Sequence, residues 1–134
     1  MKKIYITSTL KNDWNRNFNK RICELLENYG FDCYLPQRDT DQTSDRLTRY
    51  SQNIEAIREC ETLLAIGENE SINWGLEVGY AYGIGKKIVI LCEERHESPV
   101  MSLGMTTNVF KVEGLDKIEG YFDQLITKLP KENQ

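Results

Sequence analysis

The chain has 134 residues, 40% of them hydrophobic and 28% charged, which suits one domain with enough apolar side chains to bury a core. Its net charge of −4 lacks the basic excess of a nucleic-acid-binding surface, and no apolar run approaches the roughly 18 residues that a membrane helix requires. The opening, MKKIYITSTL, carries two lysines but only a short apolar stretch broken by Thr7 and Ser8, so it reads as a first strand rather than a leader, and the protein as cytoplasmic.

Along the chain, strand and helix signals alternate. Residues 2–8 (KKIYITS) read as a strand, and Phe18, Ile22, Leu25, Leu26 and Tyr29 then recur at helical spacing up to Gly30. FDCYLP (31–36) reads as a second strand stopped by Pro36, and the polar stretch QRDTDQTSD (37–45) as a loop. Leu47, Tyr50, Ile54 and Ile57 mark a second helix, TLLAIG (62–67) a short buried strand, and GLEVGYAYGIGKK (75–87) a helix closing on Gly83, Gly85 and two lysines. KIVILC (87–92) is the next strand, residues 93–108 a loop with room for one helical turn, and VFKVEG (109–114) a fifth strand. Ile118, Tyr121, Phe122, Leu125, Ile126 and Leu129 form the apolar face of a closing helix. The pattern specifies one domain over residues 1–130, with 131–134 as a frayed tail. Its class is α/β: a doubly wound, five-stranded parallel sheet in a flavodoxin-like (Rossmann-like) three-layer sandwich, strand order 2-1-3-4-5.

Such a sheet binds ligands in the crevice at the carboxyl ends of its strands. Glu77 is placed there by SINWGLEVGYA (71–81), in the expected first turn of a helix whose positive dipole end favours an ionised acid. An ionised carboxylate can act as a nucleophile; the plainer alternative is an ordinary first-turn glutamate. The loops TSTLKND (7–13), ENESINWG (68–75) and 93–108 converge on the same edge, rich in hydroxyl and amide groups that suit a sugar or phosphate. Those residue types also simply belong in loops and caps. Cys23, Cys33, Cys60 and Cys92 form no C-x-x-C pair and read as buried free thiols. His96, the single histidine, cannot build a multi-histidine metal site and reads as a solvated loop residue.

Three segments carry a resemblance. KKIYITSTL, GLEVGYAYGIGKKIVIL and VMSLGMTTNVFKVEGL, in that order, resemble the nucleoside 2-deoxyribosyltransferase superfamily over nearly the whole length. The resemblance implies Glu77 as catalytic nucleophile and Tyr5 as the tyrosine that orients it. Within the superfamily, Tyr5, Thr9 and Lys11 resemble the Tyr-x-x-x-Ser-x-Arg opening of the 2'-deoxynucleoside 5'-monophosphate N-glycosidases, with Lys for Arg keeping the charge but losing the bidentate fork. Ser71, six residues before Glu77, matches a phosphate-binding serine, and Ser102 matches one supplied by a partner subunit. Leu10, Gly75 and Met101 complete the implied substrate-binding set. One position departs: where the family has an aspartate that contacts or helps protonate the base, 24 residues before Glu77, this chain has Asn53, which can hydrogen-bond a base but cannot act as a general acid.

The implied activity is hydrolysis of the N-glycosidic bond of a (deoxy)nucleoside 5'-monophosphate through a glycosyl-enzyme on Glu77, releasing free base and sugar 5-phosphate, with no metal or organic cofactor. Base exchange by a deoxyribosyltransferase and a non-catalytic nucleotide-binding module are the alternatives. Val100, Met101, Leu103 and Met105 are expected to be exposed together, and the resemblance implies a homodimer or higher homo-oligomer whose sites are shared through Met101 and Ser102, with a small nucleotide or nucleoside as ligand and neither nucleic acid nor membrane as partner.

Overall fold

A computed structural model describes residues 3–129, so Lys2 of the expected first strand and the expected tail lie outside the described residues. In chain order the elements are β1 (Lys3–Thr7), α1 (Asp13–Tyr29), β2 (Asp32–Tyr34), α2 (Pro36–Asp39), α3 (Arg46–Glu59), β3 (Thr62–Gly67), α4 (Ile72–Gly83), β4 (Lys87–Glu93), α5 (Val100–Met105), β5 (Asn108–Val112), a 3-10 turn (Leu115–Tyr121) and α6 (Phe122–Ile126). All four strand pairings are parallel and the order is β2-β1-β3-β4-β5, as the alternating pattern requires. The central strands are apolar on both faces because helices cover both; every residue of β3 is buried.

Strand alternation splits the interior into two cores. Ile4, Ile6, Leu64, Ile66, Val89 and Leu91 pack on one side against α1 and the C-terminal elements. Tyr5, Leu63, Ala65, Ile88 and Ile90 pack on the other against Ile57 of α3 and Trp74, Val78 and Ala81 of α4.

Several local expectations are corrected. Helix α4 starts at Ile72, because the Ser71 hydroxyl accepts from Trp74 N at 3.2 Å and caps it. Glu77 therefore stands in the second turn, and Gly75 lies inside the helix rather than at its mouth. The same helix ends at Gly83; Gly85, at φ 82°, takes the left-handed turn, and Lys87 already belongs to β4. The polar 37–45 stretch contains most of α2, which Pro36 opens and whose Asp39 carboxylate accepts from Leu35 N at 2.9 Å. Leu47 and Tyr50 lie on the solvent side of α3, 77% and 60% exposed, and only Ala56 and Ile57 of that helix are buried. The closing helix is broken: a non-helical Lys117 (φ −107°, ψ 25°) leaves 3-10 geometry to Tyr121 and α helix only from Phe122. Met105 is not exposed with its neighbours but packs against the second core.

Candidate active site

Because the sheet is parallel, the loops after β1, β3 and β4 all leave its carboxyl edge, and specific side chains bind them to one another. Asn15, in the first turn of α1 and fully buried, donates from Nδ2 to Ser8 Oγ and to Glu68 O, both at 3.0 Å, and accepts from Asn69 Nδ2 at 3.0 Å. It joins the first loop to the second. Asn69 holds a left-handed φ of 55°, a conformation asparagine tolerates better than most residues. His96 joins the second loop to the third: its Nε2 lies 2.6 Å from Glu70 Oε2, with both side chains largely buried, so it is not the solvated loop residue expected. Gly67, at the end of β3, makes room for this strap; a Cβ there would meet Cys92 Cβ at 2.7 Å and His96 Cδ2 at 3.4 Å.

Tyr5 and Glu77 come together. The phenol of Tyr5, fully buried in the middle of β1, donates to Glu77 Oε2 at 3.0 Å. Glu77 retains some exposure as a residue, while its carboxyl group is enclosed by protein. Burial pushes that carboxyl up to about 7, against the downward pull of the Tyr5 hydrogen bond and of the nearby Thr7 hydroxyl. The helix dipole therefore does not keep Glu77 fully ionised at neutrality, as its sequence position had suggested. Burial and the adjacent carboxylate push the Tyr5 phenol far above its ordinary value, so it remains a donor at any physiological pH.

Tyr5 also stacks on Tyr34, ring centroids 5.4 Å apart and planes 7° from parallel. Thr40 donates to Asn53 Oδ1 at 2.5 Å, so its single proton is committed and the Tyr34 hydroxyl, 2.6 Å away, donates to Thr40. A continuous path thus runs from Glu77 through Tyr5, Tyr34 and Thr40 to the half-buried Asn53. Tyr34 and Thr40 were not singled out in the sequence. Nothing local marks them, since their roles arise from the β1–β2 pairing and the fold of the 36–45 segment.

Thr9 is buried; its Oγ1 accepts weakly from Lys11 N at 3.4 Å, and its carbonyl accepts from Asn19 Nδ2, also at 3.4 Å. Among the described residues the hydroxyls of Thr9 and Ser71 accept but do not donate, Lys11 is exposed, and Leu10 is half-buried with its carbonyl held by Arg16 Nη1 at 2.6 Å. Gly75 is open, with nothing within 4 Å of where a Cβ would stand. Helix α5 packs against α4 in the same protomer. There Met101 is 70% exposed, whereas Ser102 is buried and donates to Pro99 O at 2.6 Å.

The sequence profile of the nucleoside 2-deoxyribosyltransferase family matches residues 4–115, a span that includes Tyr5, Asn53, Glu77 and Ser102. No curated protein sequence matches the chain significantly. Among solved structures, the chain resembles a 2-deoxyribosyltransferase from the psychrotolerant bacterium Bacillus psychrosaccharolyticus at 16% identity and a TM-score of 0.72, with 92% of this chain and 95% of that one covered. A conserved protein from Enterococcus faecalis V583 superposes at a TM-score of 0.74 and 18% identity, over 93% and 99% of the two chains. A Clostridium botulinum CMP N-glycosidase, BcmB, does so at 0.64 and 16% identity, over 91% and 99%. At these identities the structural likenesses speak for the flavodoxin-like fold.

Proposed function

The chain belongs to the nucleoside 2-deoxyribosyltransferase family, and on that premise we propose that it hydrolyses the N-glycosidic bond of a (deoxy)nucleoside 5'-monophosphate. The observation that carries the reading is the enclosed Glu77 carboxyl, bonded by a phenol that stays protonated. Tyr5 occupies Oε2, which leaves the other oxygen of Glu77 to attack the anomeric carbon. As the C–O bond forms, the C–N bond breaks; the base leaves with its electron pair and takes up a proton. Water then attacks the same carbon, returns the carboxylate and releases the sugar 5-phosphate. A carboxylate of raised pKa is the more nucleophilic once ionised, and its charge opposes the positive charge that develops on the sugar.

A 5'-phosphate is supported by what the loop edge offers: the free hydroxyl protons of Thr9 and Ser71, the cation of Lys11, and the first N–H groups of a 12-residue helix. Asn53, its oxygen engaged by Thr40, serves as a hydrogen-bonding contact for the base rather than as an acid. Base exchange shares the first half-reaction and differs only in whether water or a second base takes the sugar from Glu77.

The reading includes at least a homodimer with shared sites. Val100, Met101 and Leu103 of α5 and Ile72 and Leu76 of α4 are exposed large apolar side chains on two helices that touch. Met101 is presented for a neighbour's pocket as it stands; Ser102 would have to leave Pro99 O to reach one.

Product analysis over a panel of nucleosides and monophosphates tests the proposal. Free base released from a monophosphate in water, and lost in Glu77→Gln, is the expected result. Release only with an acceptor base would make the protein a transferase, and binding without release would make it a nucleotide-binding module.

A further inference from the structure

Strand β1 turns alternate side chains to opposite sides of the sheet: Ile4 and Ile6 enter the first core, while Tyr5 enters the second, where α4 lies. Thr7 shares the Tyr5 side, one alternation nearer the carboxyl edge. It is 1% exposed, and its Oγ1 has no hydrogen-bond partner of acceptable geometry. Buried hydroxyls are almost always paired, so the Thr7 hydroxyl, one of four buried polar side-chain atoms without a partner among the described residues, calls for an acceptor close by. The group beside it is short of donors. Each carboxylate oxygen can accept two hydrogen bonds, so a second donor need not occupy the attacking oxygen, yet Tyr5 is the one side chain hydrogen-bonded to Glu77 among the described residues.

We infer that Thr7 is a positioning residue for Glu77: its hydroxyl closes onto the carboxylate when that group ionises, so two adjacent positions of one strand face hold the nucleophile. The catalytic meaning rests on the reading of Glu77 as nucleophile; the contact itself does not. Threonine is suited to this because its β-branched side chain restricts χ1 in a strand and its hydroxyl can rotate to donate. The nearness of Thr7 already pulls the Glu77 carboxyl down, against burial.

No charged side chain competes for the effect among the described residues. Of the elements packed against α4, α5 (VMSLGM) and β3 (TLLAIG) carry no ionisable group. On β4 the charged Lys87 and Glu93 stand at the strand ends, and Cys92 is buried. On α3, which also carries Arg46, Arg49, Tyr50 and Glu59, Arg58 binds the Tyr80 hydroxyl at 2.8 Å and pairs with Glu55. On β1 the remaining ionisable groups are Lys3, which pairs with Asp32 and Glu59, and Tyr5 itself.

The test is the titration of the Glu77 side-chain carboxyl by carbon-13 NMR in the full chain without ligand, its resonance assigned by its loss in Glu77→Gln. Thr7→Val keeps the shape and removes the hydroxyl; Thr7→Ser keeps the hydroxyl. The expected result is a midpoint raised by about one pH unit in Thr7→Val and restored in Thr7→Ser. An unchanged or lowered midpoint in Thr7→Val, or an equal rise in both variants, overturns the inference. Should Thr7→Val fail to fold, Thr7→Ala makes the same comparison. The acid limb of cleavage against pH should move with the NMR midpoint. If no nucleotide is cleaved, the NMR comparison still decides the Thr7 contact, and only the proposed reaction falls.

Discussion

Glu77 is enclosed enough to resist ionisation, while the proposed reaction needs it ionised, and the value of about 7 is where those demands meet. The rate of cleavage, as kcat/KM, should therefore rise with pH through about 7 and fall below it, while a lone exposed glutamate would show no limb above pH 5. Stability should run the opposite way. A carboxyl raised from 4.5 to about 7 binds its proton more tightly in the folded state. Its contribution to stability is thus full below pH 4.5 and lost as pH climbs through 7. Glu77→Gln removes that liability, so the inactive variant should exceed the parent by about 1–3 kcal/mol at pH 8, the gap closing toward pH 5, as read by urea denaturation at both values. A gap of equal size at both would mean the gain has nothing to do with the charge. Lys11 makes a different prediction. A hydrogen bond to a charged group contributes about 1.5–3 kcal/mol, so Lys11→Ala should weaken monophosphate binding about ten- to a hundredfold and leave nucleoside binding nearly unchanged by calorimetry. Equal losses for both ligands would remove the phosphate from that loop.

At the scale of elements, the loops behave as one edge because Asn15 and the His96–Glu70 pair tie them. Asn15→Ala should cost about 2–3 kcal/mol, since it deletes bonds to three groups, two of them half-buried, and should raise KM for a monophosphate more than it lowers kcat. A drop in stability with KM unmoved would confine Asn15 to folding. The five strands and their order were legible because apolar runs such as TLLAIG and the period of α1 are strong signals that the tertiary structure had no reason to override. Glu77 drew attention by its place after the buried strand, and its pairing with Tyr5 was legible through family resemblance. Asn15, Thr40 and Tyr34 were not, because their partners lie on other elements. Thr7 was within reach: it stands two residues after Tyr5 in a strand, which places it on the same face. The expected first turn for Glu77 failed on a cap; Ser71 followed by two residues and Trp74 starts the helix earlier than the apolar periodicity does. The final helix failed because its apolar positions are helical in period while Lys117 interrupts the backbone.

At the scale of the whole molecule, α4 and α5 expose Ile72, Leu76, Val100, Met101 and Leu103, and α3 exposes Leu47 and Tyr50. If α5 completes a neighbour's site, mixing the inactive Glu77→Gln protein with an inactive Met101→Glu protein should recover about a quarter to a half of the parental activity, since a mixed dimer contains one site with both residues intact. A fully active monomer by analytical ultracentrifugation at assay concentration would refute the shared site. The sheet also parts the four thiols evenly. Cys23 and Cys33 lie in the core on one side, Cys60 and Cys92 in the core on the other, and all four are free and buried. An alkylating reagent in solution thus finds no target on the native protein. Each alkylation records a moment when one layer came away from the sheet, and mass spectrometry of which pair is modified first would tell which layer loosens first, with no label added to the chain.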